Sequence, residues 1–170
     1  MVVAQRSGSF EAFYRRELVM LTSLARALVG DPALAADLAQ EALLRAYRAW
    51  GSVGSYDNPG AWARRVLLNL VTDHRRRRLR EAVGLARLDA DVGVSNSFDT
   101  PADDELWAAV RALPPRQAEV VALRYVDDLA VDAIAAVLEI SAGTVKATLF
   151  NARATLARQL HLEERHDAHD

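Results

Sequence analysis

Leu129–Arg153 reads LAVDAIAAVLEISAGTVKATLFNAR, and its spacing sets the fold class. Ile134, Val137 and Leu138 fall at helical intervals. Ile140 sits in a break of the pattern, and Val145, Leu149, Ala152 and Leu156 resume it after Ser141, an N-cap residue. Two short helices joined by so brief a break have the arithmetic of a helix-turn-helix. Ala142, Gly143, Lys146, Ala147, Phe150 and Arg153 then point outward from the second helix. A helix presented that way fits a DNA major groove, its first turn near phosphate or a base edge. A plain helical hairpin satisfies the same spacing.

Working outward, helical periodicity recurs almost everywhere and no stretch alternates convincingly like a strand. Pro114-Pro115 opens a helix to about Tyr125, and Thr100-Pro101 opens one to about Ala112. The hairpin helices are expected over Val131–Leu138 and Ala142–Leu160, followed by a frayed tail over 163–170. Upstream, Ser9 is the expected cap of a helix ending at Val29, with Gly30 closing it in the left-handed conformation. Asp31-Pro32 opens a second helix that Trp50-Gly51 ends, and GSVGSYD reads as a flexible loop. Asn58-Pro59 opens a third helix, to about Arg80. Residues 83–100 are weakly periodic and read as a flexible linker. The fold class expected is all-α: two small helical domains, a three-helix unit over 8–82 and the helix-turn-helix domain over 101–162.

Composition narrows the functional classes. The chain of 170 residues has no cysteine, so no disulfide frame and no thiolate metal site is expected. The three tail histidines are irregularly spaced, and no metal ligand set is assigned. No window approaches the ~20 apolar residues of a membrane span, and the N-terminus lacks a signal peptide's apolar region; the cytoplasm is the default location. No glycine-rich phosphate loop or nucleophile–base pair stands out, so neither catalysis, nor a cofactor, nor a small-molecule substrate is expected. The formal charge of −2 conceals an asymmetry: 13 arginines face 8 acids up to Leu85, giving +5, and 8 cations face 15 acids beyond it, giving −7. Such halves have different partners, or attract each other.

Two further faces carry candidate chemistry. On the second helix an apolar stripe, Ala35, Leu38, Ala39, Ala42, Leu43, Ala46 and Trp50, lies opposite Asp37, Gln40, Glu41, Leu44, Arg45 and Arg48. Solvation explains the charges; a leucine among them fits a protein partner better. On the third helix Trp62, Val66, Leu67, Leu70 and Val71 face inward, while Arg65, Leu68, Asn69, Thr72 and Arg76 share another face flanked by Arg64 and Arg75. Five of the six residues from Arg75 to Arg80 are arginine. Guanidinium forks suit phosphate, and asparagine and threonine can bond bases or sugars, a set that favours nucleic acid over mere solubility.

These features together resemble bacterial sigma factors of the extracytoplasmic-function type, within the sigma-70 family, and more narrowly their actinobacterial sigma-E-like branch. DLAQEALLRAYRAW (Asp37–Trp50) resembles the family's polymerase-binding helix in region 2. NPGAWARRVLLNLVTDHRRRR resembles the segment that melts and reads the promoter −10 element, and LPPRQAEVVALRYVDDLAVDAIAAVLEISAGTVKATL resembles region 4, which reads the −35 element. The resemblance implies a transcription initiation factor that directs RNA polymerase to promoters. Its implied partners are core RNA polymerase, promoter DNA and an anti-sigma factor. Asp37, Gln40, Glu41, Leu44, Arg45 and Arg48 would bind polymerase. Arg64, Arg65, Asn69, Thr72, Arg75 and Arg76 would hold the melted −10 strand, and the Gly51–Asp57 loop would catch a flipped base. Ser141, Gly143, Thr144, Lys146, Phe150 and Arg153 would contact the −35 duplex. Rival readings are a helix-turn-helix regulator that recruits no polymerase, or a sigma-like interaction module with weakened −35 binding.

The sequence departs from the family at several positions. Ala130 stands where a serine cap is usual, and Glu139 where glycine often fills the turn. Ala147, Thr148 and Asn151 replace a serine and two arginines of the recognition helix, which predicts weaker or differently specific −35 binding.

Overall fold

The computed structural model describes the backbone over residues 2–85 and 101–167 and side chains over 10–84 and 105–160. The linker expected from 83, the Thr100 cap and the tail histidines fall largely or wholly outside these limits. Among the described residues eight helices follow in order: α1 (Val2–Val29), α2 (Pro32–Arg48), α3 (Trp50–Val53), α4 (Pro59–Leu85), α5 (Pro101–Ala112), α6 (Pro115–Tyr125), α7 (Val131–Leu138) and α8 (Ala142–Asp167).

Local chemistry sets most boundaries. Gly30 takes φ +82° and its N–H donates to the Arg26 carbonyl at 2.8 Å, closing α1 in a conformation other residues resist. The Asp31 carboxylate accepts from the Leu34 N–H at 3.0 Å, with Pro32 in the first turn of α2. The Asn58 side chain accepts from the Ala61 N–H at 2.9 Å at the start of α4, and the Ser141 hydroxyl accepts from the Thr144 N–H at 3.0 Å at the start of α8. Ala130, before α7, provides no side-chain cap.

Four expectations need correction. Helix α1 begins at Val2, so Ser9 lies within it and does not cap it. The expected loop after Trp50 begins as a helical turn, α3, which makes the first unit four-helical. There tertiary burial overrides Gly51 and Ser52: Val53 is buried, and the Trp50 ring packs 4.8 Å from Phe13 and 5.2 Å from Phe10. Helix α4 runs five residues past Arg80, to Leu85. Helix α8 continues to Asp167 where a frayed end was expected from 163.

The apolar stripes meet as the periodicity requires. Leu21, Leu24 and Leu28 of α1 pack with Leu43 and the alanines Ala35, Ala39, Ala42 and Ala46 of α2, and with Leu67 and Val71 of α4. The alanines carry no bulk beyond Cβ, which permits α1 and α2 to approach closely; α1·α2 is the most extensive helix pair. In the second half Val120 and Leu123 of α6, Ile134 and Val137 of α7, and Val145, Leu149 and Ala152 of α8 form the interior. Helices α7 and α8 are bent 103° from one another, the angle of a helix-turn-helix. The two halves share one continuous apolar cluster, because α1 packs on α5 and α6 while α4 packs on α7.

Candidate polymerase and nucleic-acid interfaces

The first site is a groove on the outer side of α1 and α2, about 580 Å³ in volume. It gathers Asp37, Gln40, Glu41 and Leu44, as the sequence predicted, and adds Phe10, Tyr14 and Tyr47. Leu44 is 40% exposed and Tyr47 58% exposed. The Phe10 ring lies 5.0 Å from that of Tyr47 in an edge-to-face pairing, so the groove floor is aromatic and its wall is acidic. Arg45 donates to Glu41 at 2.8 Å along the helix, a pair that holds its charges beside the leucine. Arg48 is exposed beyond the groove. Sequence reasoning did not single out Phe10, Tyr14 or Tyr47 for this face. The available signal was the aromatic spacing of Phe10 and Tyr14 one helical turn apart.

The second site is α4. Asn69 and Arg76 are exposed, as are Arg77, Arg78 and Arg80 further along the helix. Arg64 is not: it turns inward, and its side chain is only 11% exposed. Its Nε donates to Asp127 Oδ2 at 2.6 Å and its Nη1 to Glu17 Oε2 at 2.8 Å. Gly60 makes room for this, since a Cβ there would lie 2.8 Å from Arg64 Nη1 and 3.1 Å from Glu17 Oε1. A charge this deep needs paired acids, and the spacing along α4 carries no sign of them. Asp127 is fully buried at its side chain, with Oδ1 unpartnered; burial pushes its carboxyl above the usual range against the pull of Arg64, and nearby Glu17 adds to the rise.

Leu68, placed by spacing on the strand-holding face, is buried instead, because the second half covers that part of the helix. Arg65 donates three hydrogen bonds across the same seam. Thr72 lies 3.4 Å from Glu119 Oε1, and Arg75 donates to the Leu28 carbonyl at the end of α1 at 2.9 Å. Burial raises the Glu119 carboxyl above its ordinary value, opposed by Arg116 and Arg75. His74, within the arginine run, is held below the usual histidine range by burial, then by Arg78 and Arg77.

The third site is the outward face of α8. Gly143, Thr144, Lys146, Phe150 and Arg153 are exposed there, with Ser141 at its head; Phe150 reaches 73% exposure. Arg153 donates from Nε and Nη2 to the Tyr125 hydroxyl at 2.9 and 2.6 Å and lies over that ring. Thr148 turns its hydroxyl back onto the Thr144 carbonyl at 2.7 Å. Among the described residues no group of side chains is arranged to hold a metal, and no single helix is long and apolar enough to cross a membrane.

A four-helix unit with an acidic aromatic groove and a cationic helix, followed by a helix-turn-helix unit, defines a two-part DNA-directed factor. Family models agree on both parts: Sigma-70 region 2 matches residues 13–81, and Sigma-70 region 4 matches residues 103–156. The chain is 38% identical over 152 residues to an RNA polymerase sigma-E factor of Streptomyces avermitilis, spanning 89% of this chain and 84% of the relative. It is 37% identical over 152 residues to the sigma-E factor of Streptomyces coelicolor, spanning 89% and 85%. Among solved structures, the sigma factor RpoE of Bartonella quintana, in complex with the anti-sigma factor NepR, shares the fold at TM-score 0.73 and 23% identity, covering 89% of this chain and 96% of that one. CnrH, in complex with the cytosolic domain of CnrY, does so at TM-score 0.66 and 24% identity, covering 94% of each. The chain belongs to the extracytoplasmic-function sigma factors of the sigma-70 family, close to the Streptomyces sigma-E factors. It directs RNA polymerase to promoters and is not itself a catalyst.

Proposed function

We propose that the chain divides this task among the three surfaces. The groove holding Leu44, Tyr47 and Phe10 seats core RNA polymerase, with Asp37, Gln40, Glu41, Arg45 and Arg48 around it. Asn69, Arg76 and, once released from their present partners, Arg65, Thr72 and Arg75 hold the separated −10 strand. Arg64 acts from beneath as a positioning residue, since its guanidinium is occupied by Glu17 and Asp127. Tyr56, 48% exposed in the turn after α3, is placed to stack on an unpaired base. Ser141, Gly143, Thr144, Lys146, Phe150 and Arg153 meet the −35 duplex, with Phe150 aimed at apolar base edges such as the thymine methyl.

The observation that carries this reading is the groove: an exposed leucine and tyrosine floored by aromatics inside an acidic rim are poorly explained by solubility. An anti-sigma factor is a fitting further partner, because the RpoE structure of shared fold named above is a complex with such a protein. The domain assignment follows: 8–82 for polymerase and the −10 element, 101–162 for the −35 element. Transcription from a genomic library with added core polymerase, with start sites mapped, tests the proposal. Discrete starts sharing −10 and −35 elements are expected, and their absence from an active, folded preparation refutes it.

A further inference from the structure

We infer that Tyr125, the last residue of α6, is a positioning residue for duplex binding: its hydroxyl fixes the Arg153 guanidinium on the outward face of α8, where a DNA phosphate can meet it. The inference rests on the assignment of that face to the −35 duplex and adds to it a residue from outside the recognition helix.

The contact is a fork closed on one oxygen. Arg153 donates to the Tyr125 hydroxyl from Nε at 2.9 Å and from Nη2 at 2.6 Å, and its guanidinium carbon lies 5.8 Å from the ring centroid. One edge of the guanidinium is thereby occupied, while Nη1 has no partner among the described residues and keeps both of its N–H groups for a ligand. Both side chains stand at the surface, Tyr125 at 54% exposure.

The chemistry of the holder matters. Arg116 is held by Glu119 and Arg65 by Glu139, and each carboxylate offsets the charge it holds. A hydroxyl brings no opposing charge, so the whole cation of Arg153 stays available to phosphate. Fixing the side chain beforehand also removes from binding the cost of freezing its rotatable bonds. Helices α6 and α8 do not need the contact to stay together, since Leu123, Leu149 and Ala152 are already buried in their shared core.

The position along α8 fits the same role. Lys146 and Arg153 stand seven residues apart, with exposed Phe150 between them. That separation is about 10 Å of helix rise, near the ~12 Å width of a major groove, so the two cations are spaced for phosphates on its opposite sides. An ammonium on a flexible stem adjusts to its phosphate; a planar fork has to be oriented, and Tyr125 orients it.

The test uses the full chain with Tyr125→Phe, Arg153→Ala, Arg153→Lys, Lys146→Ala and the Tyr125→Phe/Arg153→Ala pair. NMR relaxation at arginine Nε reads guanidinium order, and fluorescence anisotropy over a salt series reads binding of a labelled mixed-sequence DNA duplex. In wild type Arg153 Nε should be more ordered than that of exposed Arg77, and in Tyr125→Phe it should drop to the Arg77 level. Tyr125→Phe, which keeps the ring and every charge, should weaken the duplex about three- to ten-fold with its salt slope unchanged. Arg153→Ala should weaken it further and lower the slope by about 0.9. Adding Tyr125→Phe to Arg153→Ala should cost nothing more, because the hydroxyl acts only through the guanidinium. Arg153→Lys should behave like Tyr125→Phe, which gives a second route should the phenylalanine variant misfold. The inference is overturned if Arg153 Nε is as mobile in wild type as in Tyr125→Phe, if Tyr125→Phe binds like wild type, or if it weakens Arg153→Ala by the same factor. If Lys146→Ala and Arg153→Ala both bind like wild type, the duplex assignment of α8 fails and takes the inference with it. If those two weaken binding and Tyr125→Phe does not, the assignment stands and the inference alone falls.

Discussion

Leu44→Ala should separate polymerase binding from folding. Leu44 is 40% exposed on α2 and lines the groove with Tyr47 and Phe10. Complete burial of a leucine is worth ~2–3 kcal/mol, so covering its exposed two-fifths contributes about 1 kcal/mol to docking. Loss of that term weakens the dissociation constant for core polymerase about five-fold. Truncation also removes the buried part of the side chain, costing roughly 1 kcal/mol of stability, which a reserve of about 5–15 kcal/mol absorbs. Fluorescence anisotropy of labelled chain titrated with core polymerase gives the affinity, and circular dichroism melting in parallel reports folding. Binding of single-stranded DNA, which the proposed division assigns to α4, should be unchanged. If affinity for polymerase stays at the wild-type value while the variant is folded, Leu44 lies outside the docking surface and the groove assignment is wrong.

Other perturbations address the remaining surfaces. Ala130→Ser places a hydroxyl at a backbone already in the extended capping conformation, φ −65° and ψ 157°. It should add about 1 kcal/mol and raise Tm by about 2–4 °C; no rise would mean that the start of α7 is not limited by its missing cap. Asp127 and Glu119 both have carboxyls raised above their ordinary values, first by burial. Their contribution to stability is therefore present below the unfolded values and is lost as pH rises through the folded ones. Asp127→Asn, which leaves Arg64 balanced by Glu17, should flatten the fall in stability as pH rises above the ordinary carboxylate range, and urea melts over a pH series that fall equally for both proteins would contradict this. Lys146→Ala should weaken −35 duplex binding for all sequences and reduce the salt slope by about 0.9; Phe150→Ala should instead relax sequence preference, and a titration series over salt and base substitutions tells the two apart.

The sequence determined the helices and most of their limits through short-range chemistry. Asp31-Pro32, Asn58-Pro59, Gly30 and Ser141 act on backbone groups within a turn of themselves, so no distant residue is needed to read them. The stripe Ala35–Ala39–Ala42–Ala46 was legible because burial on a helix repeats every three or four residues. Leu44 was legible as an apolar residue among charges, and Glu139 as a residue at a turn that favours glycine. The same local logic failed at Trp50–Val53, where Gly51-Ser52 signals a loop but the burial of Val53 and the stacking of Trp50 hold a helical turn.

Only the tertiary structure decided how the arginines are spent. Arg64, Arg65 and Arg75 are identical in type and close in sequence, yet one is buried between two acids, one clasps α7 and one caps α1. Periodicity gives the direction a side chain leaves its helix; it cannot give what waits at the other end. Glu17 lies 47 residues before Arg64 and Asp127 lies 63 after it, and partners that far apart meet only when the packed helices bring them together.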